Sequence, residues 1–309
     1  TAMFKDITKA SFTISETERI PEQMAEAFRI ALSGRPGPVF IELPFDVLFN
    51  AVEPPTILPR ATIELIAPEV GDVTRMFELL RGASKPVIIA GTQVYWDEAH
   101  AALRELTEQT GIPVFTNGAG RGTLSMNHPH CFKSARGAAL READVVMLIG
   151  TPLDFRLKYG QEDWKPDAKL IQIENDIDEL NHNRQADVAM VANARLVLEA
   201  LSEGLQGIRY DEWLNHIQAK EAKKNTELEE YKNLDDVPVN HFRFGAAINH
   251  FMDENTIIIG DGGDIVSACA KVIDVTLPGQ WLDPGPLGCL GVGIPFAIAA
   301  KHLFPDKRV

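Results

Sequence analysis

Cysteine is scarce in this sequence. Its three copies, Cys131, Cys269 and Cys289, lie far apart and form no C-x-x-C pair. A disulfide framework is therefore excluded, and reduced thiols in a cytoplasmic protein are the expectation. Positive charge is in deficit as well. Lysine and arginine number 30 against 44 acidic residues, a formal net charge of −14, so neither nucleic acid nor an anionic membrane is an expected partner. No apolar run approaches the roughly 20 residues of a membrane-spanning helix, and no signal peptide is recognisable. The histidines do not cluster: His128 and His130 flank Pro129 without further ligands at metal-binding spacing, so no metal site is assigned there. No G-x-S-x-G elbow and no Cys–His pairing occur, which removes support for nucleophilic hydrolysis. No repeat of fixed short period is present.

What the chain does hold is apolar residues, 45% of its 309 positions, enough for two or three domains with cores of their own. The stretch from Lys85 to Glu174 organises the rest. It alternates short apolar runs at 86–90, 113–116, 145–149 and 170–173 with helical segments, the pattern of strands buried on both faces of a parallel sheet. Three runs are followed by turn residues: Gly91-Thr92-Gln93, Asn117-Gly118-Ala119-Gly120 and Gly150-Thr151-Pro152. In open α/β sheets ligands bind beyond the carboxyl ends of the strands, and the backbone amides there are expected to be free to meet an anion. Asp154-Phe155-Arg156 adds an acid and a guanidinium at this edge. The arginine can pair with a phosphate or simply close a surface ion pair. Gly118-x-Gly120-x-Gly122 is an incomplete dinucleotide-type signature.

Around this centre the chain divides by pattern. Residues 1–52 give one helix, with Pro21 near its start and Met24, Ala27, Phe28, Ala31 and Leu32 at 3-4 spacing, and one strand at 39–43 after the turn Gly34–Pro38. Residues 53–68 are proline-rich and read as a linker. The α/β centre covers 69–205. Residues 206–238, dense in Lys and Glu, read as a solvated linker helix. Residues 239–309 start a third unit with two glycine-rich corners. Gly260-Asp261-Gly262-Gly263-Asp264 joins a strand at 256–259 to a helix at 265–272; it reads either as a phosphate cradle or as a tight α/β junction. No Lys-Ser/Thr follows, so it is not a Walker motif. Gly285–Gly293 holds four glycines within nine residues, a composition that lets backbone touch a flat ligand or a closely packed helix start.

The turns at Gly34–Val39, Asn117–Gly122, Gly150–Arg156 and Gly285–Pro295, taken in this order, resemble the thiamine diphosphate-dependent enzymes of the acetolactate synthase type, a group that includes benzaldehyde lyase, 2-hydroxyacyl-CoA lyase and oxalyl-CoA decarboxylase. The resemblance covers essentially the whole chain. It implies an α/β protein with a doubly wound parallel-sheet central domain flanked by partial α/β cofactor-binding domains. Residues 1–52 are similar to the end of the pyrimidine-binding domain, and 239–309 to the opening of the diphosphate-binding domain. By the same resemblance Gly260, Asp261, Gly262, Gly263 and Asp264 meet the coenzyme's diphosphate. Gly288, Cys289 and Leu290 meet its aminopyrimidine, with Leu290 as the apolar wedge that bends it. In the central domain Gly91, Thr92, Gln93, Asn117, Gly118, Asp154, Arg156 and Asn193 match flavin contacts, and Lys9 matches a basic residue near the substrate entrance. Two departures bear on the flavin. Gly91-Thr92-Gln93 stands in place of a glycine triplet, and Pro152 in place of an arginine whose contact is worth about 1.5–3 kcal/mol. FAD, ADP and no nucleotide remain open alternatives.

The resemblance further implies Mg²⁺, a homodimer or homotetramer, and a transferase or lyase that makes or breaks a C–C bond next to a carbonyl, foremost on a 2-oxo acid. Alternatives are an acyl-CoA or acyloin lyase or decarboxylase, and a nucleotide-binding module without catalysis. The family's catalytic glutamate is expected before residue 1 and its magnesium motif after Val309. No catalytic residue and no metal ligand are therefore assigned here, and this stretch alone, read as a fragment, is not expected to turn over substrate.

Overall fold

The computed structural model describes residues 1–53 and 63–309; residues 54–62 of the expected linker lie outside these. The chain divides into two compact units, Thr1–Ile66 and Ala67–Val309. In the first, β1 (Ala10–Thr13) pairs in parallel with β2 (Val39–Glu42), Ala10 opposite Val39. Between them in sequence lies α1 (Ile20–Leu32), and α2 (Phe45–Phe49) follows. β1 has no counterpart in the sequence reading. Its Ala-Ser-Phe-Thr lacks an apolar run and is only partly buried, so neither hydrophobic template picks it out. α1 opens with Pro21 in its first turn, where the missing N–H is harmless.

The second unit begins with α3 (Val70–Gly82), β3 (Pro86–Ala90), α4 (Thr92–Trp96), α5 (His100–Thr110), β4 (Val114–Thr116), β5 (Cys131–Phe132), α6 (Arg136–Glu142), β6 (Val145–Ile149), β7 (Lys169–Glu174), β8 (Val188–Val191) and α7 (Ala194–Gly204). The six strands form one sheet in the order β5-β4-β3-β6-β7-β8, with every pairing parallel. The chain winds from β3 out to β5, returns to β6 and winds out to β8, so the order reverses between β3 and β6. Every residue of β3 and β6 is buried, as continuous apolar runs in a doubly covered sheet require. β5 and β8 complete the sheet beyond the four strands expected. β5 is two residues long, and β8 alternates buried and half-buried positions.

The turns after β3 and β6 touch through glycine. Gly150 adopts φ +57°, and a Cβ there would lie 1.9 Å from the Cβ of Gln93. A Cβ on Gly91 would lie 2.2 Å from the carbonyl oxygen of Gly150. No other residue type fits this contact without moving backbone.

Next comes α8 (Asp211–Lys232). Its second half is largely solvated as expected, but its first half is core. Trp213, Leu214 and Ile217 are buried, and Trp213 Nε1 donates to the Pro86 carbonyl at 2.9 Å. The carboxylate of Glu221 accepts from the backbone N–H of Lys133, Ser134 and Ala135 at 3.2, 2.9 and 2.7 Å, closing the start of α6. A helix with four buried positions among 22 shows little amphipathic period, and its charged half dominates the composition, which hides the core half from the sequence.

The unit ends with α9 (His241–Asn249), β9 (Ile258–Ile259), α10 (Gly263–Val272), β10 (Trp281–Leu282) and α11 (Gly293–Leu303). β9 and β10 are parallel, and Arg308 forms a parallel bridge with Thr256. Cys269, Val272, Ile273, Val275 and Trp281 make a small separate core. Among the described residues no helix is long and apolar enough to cross a membrane.

Candidate functional site

The carboxyl edge of the six-stranded sheet gathers Gly91, Thr92, Gln93, Asn117, Gly118, Asp154, Arg156 and Asn193. Most of their polar groups face one another. The hydroxyl of Thr92 accepts from Ala119 N at 3.3 Å. Asn117 caps Gly118 N at 3.1 Å and donates through Nδ2 to the Thr151 hydroxyl at 3.1 Å. Asp154 accepts from Arg156 N at 2.9 Å and pairs with the Arg156 guanidinium at 2.8 Å. Asn193 caps α7 through Leu196 N at 3.3 Å. The expected free amides at Gly118, Ala119 and Arg156 are therefore engaged by neighbouring side chains. Short polar residues in such turns bond to local backbone before any ligand arrives.

Gln93 is the exception. Its Nε2 points at three acceptors, Asp97, Asn175 and the Ala192 carbonyl, each at 2.8 Å. Its Oε1 is buried without a hydrogen-bond partner, as is the Thr116 hydroxyl at the end of β4. The corner beside β8 is thus rich in acceptors.

Next to it the edge is cationic. Arg121 and Arg136, which the sequence reading did not single out, join Arg156. Burial pushes the Arg121 guanidinium down to about 10, with Asp283 opposing and Arg136 and Arg156 adding repulsion. Burial also lowers Arg136, and Arg156 lowers it further. Arg156 has Asp154, and Arg121 has Asp283 at 3.5 Å. The one side-chain bond described for Arg136 runs to the Arg156 carbonyl at 3.4 Å. Three guanidiniums against two carboxylates favour an anion. Arg121 stood inside the Asn117–Gly122 turn already noted. Arg136 opens α6 far from any motif, and only the fold reveals it.

The two glycine-laced corners of the last region come together. Asp261 Oδ1 accepts from Gly291 N at 2.7 Å and Val292 N at 2.9 Å. Gly262 has φ +121°, and a Cβ on it would meet Leu290 Cδ2 at 2.5 Å. Glycine here is what lets Leu290 sit on the turn. Cβ atoms built on Gly263, Gly285, Gly288 and Gly291 meet nothing within 4 Å, so open space surrounds the pair. α10 starts at Gly263 with no side-chain cap, which leaves first-turn amides and the positive end of the helix dipole for an anion. The central turns at Asn117, Asp154 and Asn193, in contrast, are capped. Cys289 is exposed, while Cys131 and Cys269 are buried; burial pushes the Cys131 thiol up to about 12.

Asp283 links the two regions. It accepts from Trp281 Nε1 at 2.8 Å and Gly285 N at 2.9 Å while facing Arg121. The Arg121 guanidinium lies over the Trp281 ring, 5.0 Å from its centroid. Lys9 belongs to the first unit, where its ammonium bonds the carbonyls of Ser33 and Arg35 that follow α1. His128 and His130 meet edge to face at 5.1 Å. Among the described residues no three His, Cys, Asp or Glu side chains gather as metal ligands.

A doubly wound sheet with a polar carboxyl edge, adjoining an uncapped helix start beneath a glycine loop, defines the α/β class of this chain. Residues 73–201 match the family model for the thiamine pyrophosphate enzyme central domain, and residues 261–309 that for the C-terminal TPP binding domain. The chain belongs to the thiamine pyrophosphate enzyme family. It is 33% identical over 307 residues to a probable acetolactate synthase of Mycobacterium bovis, covering 98% of this chain and 55% of that protein. It is 31% identical over 351 residues to 2-hydroxyacyl-CoA lyase 2 of Bos taurus, covering 100% and 55%. With oxalyl-CoA decarboxylase of Escherichia coli the identity is 29% over 307 residues, covering 96% and 54%. The chain spans about half the length of the curated relatives it matches.

Proposed function

We propose that the protein carrying this chain is a thiamine diphosphate-dependent enzyme that makes or breaks a C–C bond next to a carbonyl, foremost acetolactate synthase-like on a 2-oxo acid. The observation that carries this reading is the seat formed by Gly262, Leu290 and the uncapped start of α10, with open space at Gly263 and Gly288. A diphosphate fits the α10 amides, and an apolar side chain over a bare glycine backbone fits a bent aromatic coenzyme. When bound, the coenzyme supplies the carbanion chemistry. The chain's own residues would hold and orient it: the uncapped start of α10 would receive the diphosphate and Leu290 would support the bend of the coenzyme, while exposed Asp264 at the same turn calls for a cation such as Mg²⁺ beside the phosphates.

In the central domain we infer a phosphate-bearing nucleotide, ADP in preference to FAD. Support comes from the Arg121–Arg136–Arg156 cluster and from the self-capped positions that match flavin contacts. The same cluster favours a second reading, an acyl-CoA lyase or decarboxylase, because coenzyme A presents phosphates to such a site. Turnover assays with thiamine diphosphate and Mg²⁺ separate the two. Consumption of pyruvate without acyl-CoA supports the first, and cleavage of an acyl-CoA with inert pyruvate supports the second. No thiamine-dependent turnover on either substrate class would reject both.

A further inference from the structure

We propose that Asp261 is a positioning residue that straps the Leu290 loop to the diphosphate turn, and that it makes no contact with the diphosphate itself. The inference rests on the coenzyme reading above. One carboxylate oxygen of Asp261 accepts from both Gly291 N and Val292 N. Gly293 is packed onto the same side chain, its built Cβ 3.0 Å from Asp261 Cβ. The loop it holds has little else to fix it. Gly288 and Gly291 both have positive φ, Leu287 is 86% exposed and Leu290 is 74% exposed. A loop of this composition is free to move unless tied, because glycine restricts so few backbone states. Leu290 touches Gly262, the residue after Asp261, so the strap sets the height of that side chain above the turn. The presence of an acid in a diphosphate turn also follows. Its charge faces two amides at the start of α11, where an anion is favoured, and not the coenzyme's phosphates.

The test uses the full protein with Asp261→Ala and Asp261→Asn, titrated calorimetrically with thiamine diphosphate plus Mg²⁺ and, separately, with inorganic pyrophosphate plus Mg²⁺. Asparagine keeps a carbonyl oxygen for both amides, whereas alanine keeps none. The strap predicts that Asp261→Ala weakens thiamine diphosphate by about 10-fold or more, the scale of losing a charge-assisted hydrogen bond. Pyrophosphate affinity should be unchanged, and Asp261→Asn should stay within about threefold of wild type, since a neutral acceptor retains most of the bond. Hydrogen exchange of the free protein should speed up across residues 288–292 in the alanine variant alone. Equal effects of both variants, or tighter pyrophosphate binding in both, would show a charge acting on phosphate and overturn the proposal. A wild-type protein that ignores thiamine diphosphate would remove the coenzyme reading, while the exchange comparison would still decide the strap.

Discussion

Gly150 shows how single residues set the carboxyl edge of the central sheet. Its positive φ and its contact with Gln93 leave no room for a methyl group. Gly150→Ala is expected to lower stability by about 2–4 kcal/mol, combining overpacking with backbone strain; urea unfolding monitored by tryptophan fluorescence measures it. His130 sets a pH dependence. Burial holds its pKa below the ordinary 6.5, His128 and Arg209 lower it further, and the Thr107 carbonyl and Glu108 pull the other way. Its Nδ1 lies 3.0 Å from the Thr107 carbonyl and so carries a proton in the neutral ring. Because the unfolded state then binds more protons, stability must rise with pH through the window below 6.5 and fall as the solution is acidified. Unfolding midpoints measured across that window should show this slope, and His130→Gln should flatten it. The glycines of this edge were legible in the sequence, since a Gly directly after a buried apolar run marks the sharp turn at a strand's carboxyl end. The engagement of Asn117, Asp154 and Asn193 by local backbone was not, because a capping side chain and a ligand-binding one use the same residue types.

At the scale of elements, α8 illustrates what composition conceals. Trp213 is 4% exposed, stacks near His216 and donates to Pro86 in β3. Trp213→Ala should destabilise by about 3–5 kcal/mol, the range for deleting a buried tryptophan. Lys223→Ala on the exposed half should stay within about 0.5 kcal/mol. Thermal unfolding of the two variants side by side checks both values. The four short apolar runs became β3, β4, β6 and β7, with β3 and β6 at the expected bounds, β4 starting one residue later and β7 reaching one residue further at each end. β1, β5 and β8 went unread because strands of two to four residues are too short for a hydrophobic period to stand out, whether partly buried like β1, buried like β5 or alternating like β8. Strand pairing, which needs partners distant in sequence, supplies what local pattern does not.

Across the whole molecule the contrast is between an acidic chain, net −14, and a group of three half-buried arginines beside the glycine-laced final region. Arg121 neighbours Arg136 and Arg156 on one side and Asp283 and Trp281 on the other, so its guanidinium joins the central sheet to the final region alongside the Lys133–Asp274 ion pair and the Met126 N–H to Val275 carbonyl bond. If this group seats phosphates, ADP should raise the melting temperature of the protein more than adenosine or FAD. Arg136→Met should abolish the increment, because the remaining two arginines keep their own carboxylates. A shift of equal size for adenosine would place the affinity elsewhere. The resemblance in the turns named Arg156, but not Arg121 or Arg136 beside it, since their meeting depends on tertiary packing.

The most direct measurement of the central claim is hydrogen exchange of the protein with and without thiamine diphosphate and Mg²⁺. If Gly260–Asp264 and the Gly288–Leu290 segment grip one coenzyme, both become protected together at the same ligand concentration. Protection of one without the other, or of neither, would contradict it.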